Sequence, residues 1–161
     1  MTEIDLAARL AGAPEAQWDD IEWRVDSAPY ERNGEWSARF VPYLKAPSVA
    51  RLLDEWVGPE AWTDEYVPSG RGLECHLTIL GITKVDVGVA PSGEDTLAVK
   101  GIYSDAFKRV ASIKWGVGRN VYQLEGVWAP VRVVDKDGKK QARATDESFA
   151  ALKRIFDERP M

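Results

Sequence analysis

The chain has one histidine, one cysteine and two methionines in 161 residues, and each scarcity removes a class of chemistry. Cys75 alone can form neither an internal disulfide nor a cysteine-based zinc site, and a single thiol fits a reducing compartment. His76 is its neighbour in a pattern that reads as a strand. Successive strand side chains point to opposite faces, so the two make no nucleophile–base pair. Adjacent carboxylates such as Asp19-Asp20, Asp54-Glu55 and Asp64-Glu65 diverge in the same way and read as solvated surface. No GxxxxGK(S/T) loop is present to cradle nucleotide phosphates. The expectation is a protein with no catalytic residues, no metal and no cofactor. No apolar run approaches the roughly 18 residues of a membrane-spanning helix. The first residues, MTEIDLAARLAGAPEA, carry acids where a secretory leader needs cations. A cytoplasmic location without membrane contact is expected.

What the chain does have is tryptophan and an uneven charge. Seven tryptophans, Trp18, Trp23, Trp36, Trp56, Trp62, Trp115 and Trp128, can serve a core, an interface or a platform on which bases stack, with the core as the default use. The net charge of -5 argues against nucleic acid until its distribution is considered. Residues 1–99 hold 8 lysines and arginines against 18 aspartates and glutamates, whereas residues 100–161 hold 13 against 8. The second part of the chain is therefore basic although the whole is acidic.

Periodicity supplies the elements. A short helix precedes Gly12-Ala13-Pro14. WSARFVPY (36–43) reads as a strand with Trp36, Ala38 and Phe40 on one face, interrupted by Pro42. In APSVARLLDEWVG, apolar residues recur at Val49, Leu52, Leu53, Trp56 and Val57, with Pro47 near the start and Gly58 after the end, which predicts a helix. Three β-like runs follow at 62–67, 73–80 and 82–87, then a loop at 89–96 and one long helix from Leu97 to Trp115 ended by Gly116. Gly101 is its one internal glycine and suggests close approach to another backbone. VWAPVRVV, an Asp137-Gly138 hairpin turn and a helix capped by Thr145, with Phe149, Leu152, Ile155 and Phe156 on one side, complete the chain. The prediction is one α+β domain over 1–161: a curved antiparallel sheet with a long helix packed across it, a β-β-β-α core at about 36–125, and a C-terminal hairpin and helix at about 127–159.

The basic half is densest in SDAFKRVASIKWGVGRNVYQL (104–124). On a regular helix Lys100, Lys108 and Lys114 share one side, and Asp105 stands one turn before Arg109 as an i,i+4 partner. In WGVGRN two glycines allow tight conformations whose N–H groups form an anion nest beside Arg119, although a plain helix cap explains Gly116 equally well. A competing reading places Glu74, His76 and Asp86 together in a small-substrate pocket.

The blocks YLKAPSVARLLDEWVGPEAWTDEY (43–66), VDVGV (85–89) and VKGIYSDAFKRVASIKWGVGRNVYQL (99–124) resemble the Rad fifty-two / Rad twenty-two single-strand annealing proteins, especially short bacterial and phage members and DdrA-like damage-response proteins. The last block is similar to the family pattern KGAxSDAFKRAAxxWGIGRYLY in order and spacing. The resemblance implies ATP-independent binding and annealing of single-stranded DNA in recombination and double-strand-break repair, by a nucleoid-associated bacterial or phage protein assembled into a ring or filament. A variant of this reading is end protection, with single strands bound but not efficiently paired. It implies DNA contacts at Lys108, Arg109 and Arg119. Ser112 and Asn120 stand where relatives carry a basic and an aromatic residue, so Lys100, Lys114 and Arg132 are candidates to compensate. A single-strand binding protein is a candidate partner. Recruitment of a recombinase through a long tail is not expected.

Overall fold

The computed structural model describes residues 1–70, 72–89 and 96–159. Its elements in chain order are α1 (Glu3–Leu10), β1 (Ile21–Val25), β2 (Tyr30–Arg32), β3 (Glu35–Leu44), α2 (Ala46–Val57), β4 (Trp62–Ser69), β5 (Gly72–Ile79), β6 (Ile82–Val89), α3 (Thr96–Arg109) with a π-helical turn at Val110–Lys114, β7 (Val127–Pro130), β8 (Arg132–Lys136), β9 (Lys139–Arg143) and α4 (Asp146–Glu158). The architecture is α+β with antiparallel sheets, as the periodicity predicts. Among the described residues no helix is long and apolar enough to cross a membrane. The chain divides into two compact units, Met1–Ala16 with Leu44–Asn120, and Gln17–Tyr43 with the residues from Val121 onward.

The first unit contains the β-β-β-α core. β4, β5 and β6 form an antiparallel meander with Trp62 opposite Ile79 and Ile79 opposite Ile82. The alternation in β5 buries Leu73, Cys75, Leu77 and Ile79 on the face that meets α3, and leaves Glu74, His76 and Thr78 on the other face. From α3 and its π turn come the buried Ala106, Phe107, Val110 and Ala111. Trp62 stacks on Phe107 with ring centroids 5.9 Å apart, and Tyr66 meets Tyr103 at 4.9 Å. Helix α2 buries Val49, Leu52, Leu53 and Val57, the predicted stripe apart from the half-buried Trp56.

The glycine that lets helix and sheet meet is Gly88, not Gly101. A methyl group at Gly88 would lie 2.7 Å from both the Ala106 nitrogen and the Ile102 oxygen, so α3 rests directly on the β6 backbone, whereas at Gly101 a methyl would meet nothing within 4 Å. The expected continuous helix to Trp115 is also modified. The Trp115 N–H bonds the carbonyl of Val110, five residues back, which inserts an extra residue and changes the side on which Lys114 emerges. Gly116 then ends the helix at φ 89°, a conformation that suits glycine. Most of the loop at 89–96 lies outside the described residues.

The second unit has a sheet ordered β1-β3-β2, with β7 also paired to β3. β3 runs through Pro42 without interruption, contrary to the sequence reading. Ala38, Phe40 and Ala129 lie on its buried face, Trp36 is half-buried, and α4 adds Leu152 and Phe156. Trp18 meets Trp23 at 6.1 Å and Phe156 at 5.8 Å. Thr145 caps α4 in a reciprocal box with Ser148, whose hydroxyl also donates to the Pro130 carbonyl. Phe149, expected on the buried side, is exposed, because Ser148 occupies the buried position next to it. β8 and β9 form the predicted hairpin, with Asp137 and Gly138 both at positive φ.

Candidate nucleic-acid interface

Five of the six candidate cations belong to the first unit, on α3 and just beyond it, and Arg132 belongs to the second. Lys100 and Lys114 are exposed. Lys108 is half-buried and lies beside Arg109 at the end of the regular helix. The tight packing at Gly88 brings the last turn of α3 over β6, and Arg109 turns to Asp86 rather than to Asp105. Arg109 Nε is 3.5 Å from Asp86 Oδ1, with the arginine side chain 43% exposed and the aspartate 14%. The aspartate therefore anchors the arginine while the guanidinium still reaches solvent.

Arg119 has a clear local role. Its Nε donates to the Ser112 carbonyl at 3.2 Å and its Nη2 to the Ile113 carbonyl at 2.9 Å. Lys84, which the sequence reading missed, donates to the carbonyl of Lys114 at 3.0 Å and lies 4.4 Å over the Trp115 ring. Three successive carbonyls at the negative end of a helix are thus met by two cations, as the helix dipole favours. The signal for Lys84 is its register in β6, opposite Leu77, which puts it on the helix face of the sheet. Together with the exposed Lys114 side chain, three cationic groups gather at one helix terminus.

The proposed anion nest does not form. The N–H groups of Gly116, Val117, Gly118 and Arg119 are taken by the carbonyls of Ser112, Ala111, Pro14 and Gly116. Asn120 binds the backbone of Ala16 twice, its Oδ1 accepting from the N–H at 2.9 Å and its Nδ2 donating to the carbonyl at 3.0 Å, so it fastens the preceding segment. Ser112 is fully buried, so it faces the core rather than extending the basic edge.

The small-substrate trio does not converge either. Glu74 and His76 are 2.9 Å apart on one face of the sheet, whereas Asp86 stands opposite Cys75 and so lies on the other face. Among the described residues no group of three histidine, cysteine, aspartate or glutamate side chains is placed to hold a metal ion. Burial pushes the Cys75 thiol up to about 11, and Tyr66 above the usual tyrosine range. Both groups are thereby held neutral and the thiol is not an activated nucleophile. The folded state keeps the Cys75 proton more tightly than the unfolded state, so this contribution to stability is complete below pH 9 and is lost as pH rises through about 11. Urea midpoints measured from pH 7 to pH 11 are expected to be level and then to fall above pH 9, and Cys75→Ala to flatten that fall.

In the second unit Arg132 faces Arg143 across the β8–β9 pair, and Lys136 faces Lys139. All four are exposed and occupy one face of the hairpin. Like charges directly opposite one another destabilise a strand pair, so this arrangement fits an anionic surface better than it fits the hairpin itself.

The fold and these sites define a class: a two-unit α+β protein with cations on and just beyond one helix of the first unit and on a hairpin of the second, in which Glu74, His76 and Asp86 do not converge. The chain is similar to two curated proteins named "Single-stranded DNA-binding protein DdrA". The one from Deinococcus radiodurans is 34% identical over 116 residues, which is 68% of this chain and 51% of the relative. The one from Deinococcus deserti is 38% identical over 112 residues, 67% and 53% of the two chains. The chain spans about half the length of these relatives. No family model matches it.

Proposed function

We propose that this chain binds single-stranded DNA through phosphate contacts along α3 and just beyond its end, and on the β8–β9 hairpin. The carrying observation is the concentration of cations there in an otherwise acidic protein, with Lys100, Lys108, Lys114 and the anchored Arg109 in one unit and Arg132 in the other. The similarity to proteins named as single-stranded DNA-binding supports the same ligand. Arg119 is a weaker candidate for contact, since its two observed bonds cap the helix end. The acidic remainder disfavours loose wrapping of DNA elsewhere.

The finer reading is annealing without ATP, by a Rad fifty-two type of protein assembled into rings or filaments in recombination and repair. It is supported by the β4-β5-β6-α3 arrangement that the resemblance implies. A second reading is end protection, in which single strands are held without being paired; the similarity to proteins named for single-stranded DNA binding supports the binding that both readings share. Mixing two complementary dye-labelled oligonucleotides with and without the protein separates the two. A faster rise in energy transfer supports annealing, and tight binding with an unchanged pairing rate supports protection. Mass photometry with and without an oligonucleotide tests assembly.

A further inference from the structure

Trp128 is the exposed one of the seven tryptophans, and its neighbour is an exposed tyrosine. Tyr30 on β2 pairs with Ser37 on β3, Ser37 pairs with Pro130 on β7, and Arg39 pairs with Trp128. These positions share one face of the second unit's sheet, opposite the face on which Ala38, Phe40 and Ala129 are buried. The small Ser37 side chain between the strands leaves a notch. Tyr30, Arg32, Ser37 and Trp128 line an open groove of about 340 Å³. The two rings are 6.4 Å apart, 70° from parallel, and 58% and 53% exposed. Arg32 lies on the same face, with Glu35 opposite it in the register.

We infer that this groove is a stacking site for an unpaired base of a single strand, distinct from the phosphate contacts at the end of α3. Two exposed aromatics offer π-faces to a base of any identity, and an arginine beside them serves the adjoining phosphate or lies flat on a second base. Duplex DNA keeps its base faces covered by neighbouring pairs, so the groove selects single strands, which phosphate contacts alone do not. The inference rests on the proposal that the chain binds single-stranded DNA, and it adds recognition of the bases to the phosphate contacts proposed above.

The test uses the full chain and two dye-labelled oligonucleotides of equal length in the same buffer, one of thymidines and one wholly abasic, which keeps the phosphates and removes the bases. The wild-type protein is expected to bind the thymidine strand about tenfold more tightly. Tyr30→Leu with Trp128→Leu is expected to bring the two affinities within about twofold by weakening the thymidine strand alone, and Trp128→Phe to keep most of the difference. Equal wild-type binding of both strands overturns the stacking site and leaves the phosphate proposal standing. Discrimination that survives in the double variant overturns the assignment to this groove. A double variant that changes assembly mass but not discrimination makes the face a contact between copies of the chain. Binding of neither strand defeats the proposed function itself, and this inference with it.

Discussion

Gly88→Ala is expected to destabilise the protein by about 2–3 kcal/mol, which at this size lowers the thermal midpoint by roughly 5–10 °C. The added methyl group would meet the Ala106 nitrogen and the Ile102 oxygen at 2.7 Å, and the Ala106 Cα at 3.0 Å. These are backbone atoms of α3, so no side-chain rotation relieves the contact and the helix must lift off β6. Ala106→Gly is therefore not expected to rescue the variant. Lifting the helix also separates Arg109 from Asp86, so single-strand affinity should fall with stability. A calorimetric midpoint within about 2 °C of wild type would mean that helix and strand are not in direct backbone contact.

Lys100→Glu combined with Lys114→Glu should instead cost at most about 1 kcal/mol, from the carboxylate at the negative helix end, and lower single-strand affinity roughly 20-fold at 0.1 M salt. Each phosphate contact contributes about 0.7 to the slope of log affinity against log salt, which amounts to about fivefold per contact at that salt concentration. Both side chains are exposed. The bond from Lys84 at the helix end is made to the backbone carbonyl of Lys114, which the substitution keeps. Anisotropy titration of a labelled oligonucleotide beside a thermal melt checks the prediction. Unchanged affinity would remove these two lysines from the interface, and a large drop in the midpoint would make them structural.

The parts legible in the sequence are those whose signal is local. The alternation of Leu73, Cys75, Leu77 and Ile79 specifies one buried sheet face, and Thr145 and Asp137-Gly138 mark a cap and a turn without tertiary context. β1 and β2 were missed although the signals existed. Ile21, Trp23 and Val25 alternate directly after two aspartates, and Asn33-Gly34, both at positive φ, is a hairpin turn leading into β3.

Other features have no local signature. A wheel of fixed 3.6-residue period cannot register the π turn that re-aims Lys114. The pairing of Arg109 with Asp86, and of Lys84 with the helix terminus, joins residues far apart in sequence. Asp105 was the only partner visible along the chain for Arg109. The stacking groove draws Tyr30 and Trp128 from strands separated by most of the chain, and a count of tryptophans cannot tell the exposed ring from those in the cores.

The central claim is that an acidic protein binds single strands through a concentrated set of cations. It is tested most directly by measuring affinity for a labelled single-stranded oligonucleotide from 50 to 400 mM salt. With about four phosphate contacts per chain, log affinity should fall against log salt with a slope near -3. A slope near zero, or the absence of binding at the lowest salt, would contradict the claim.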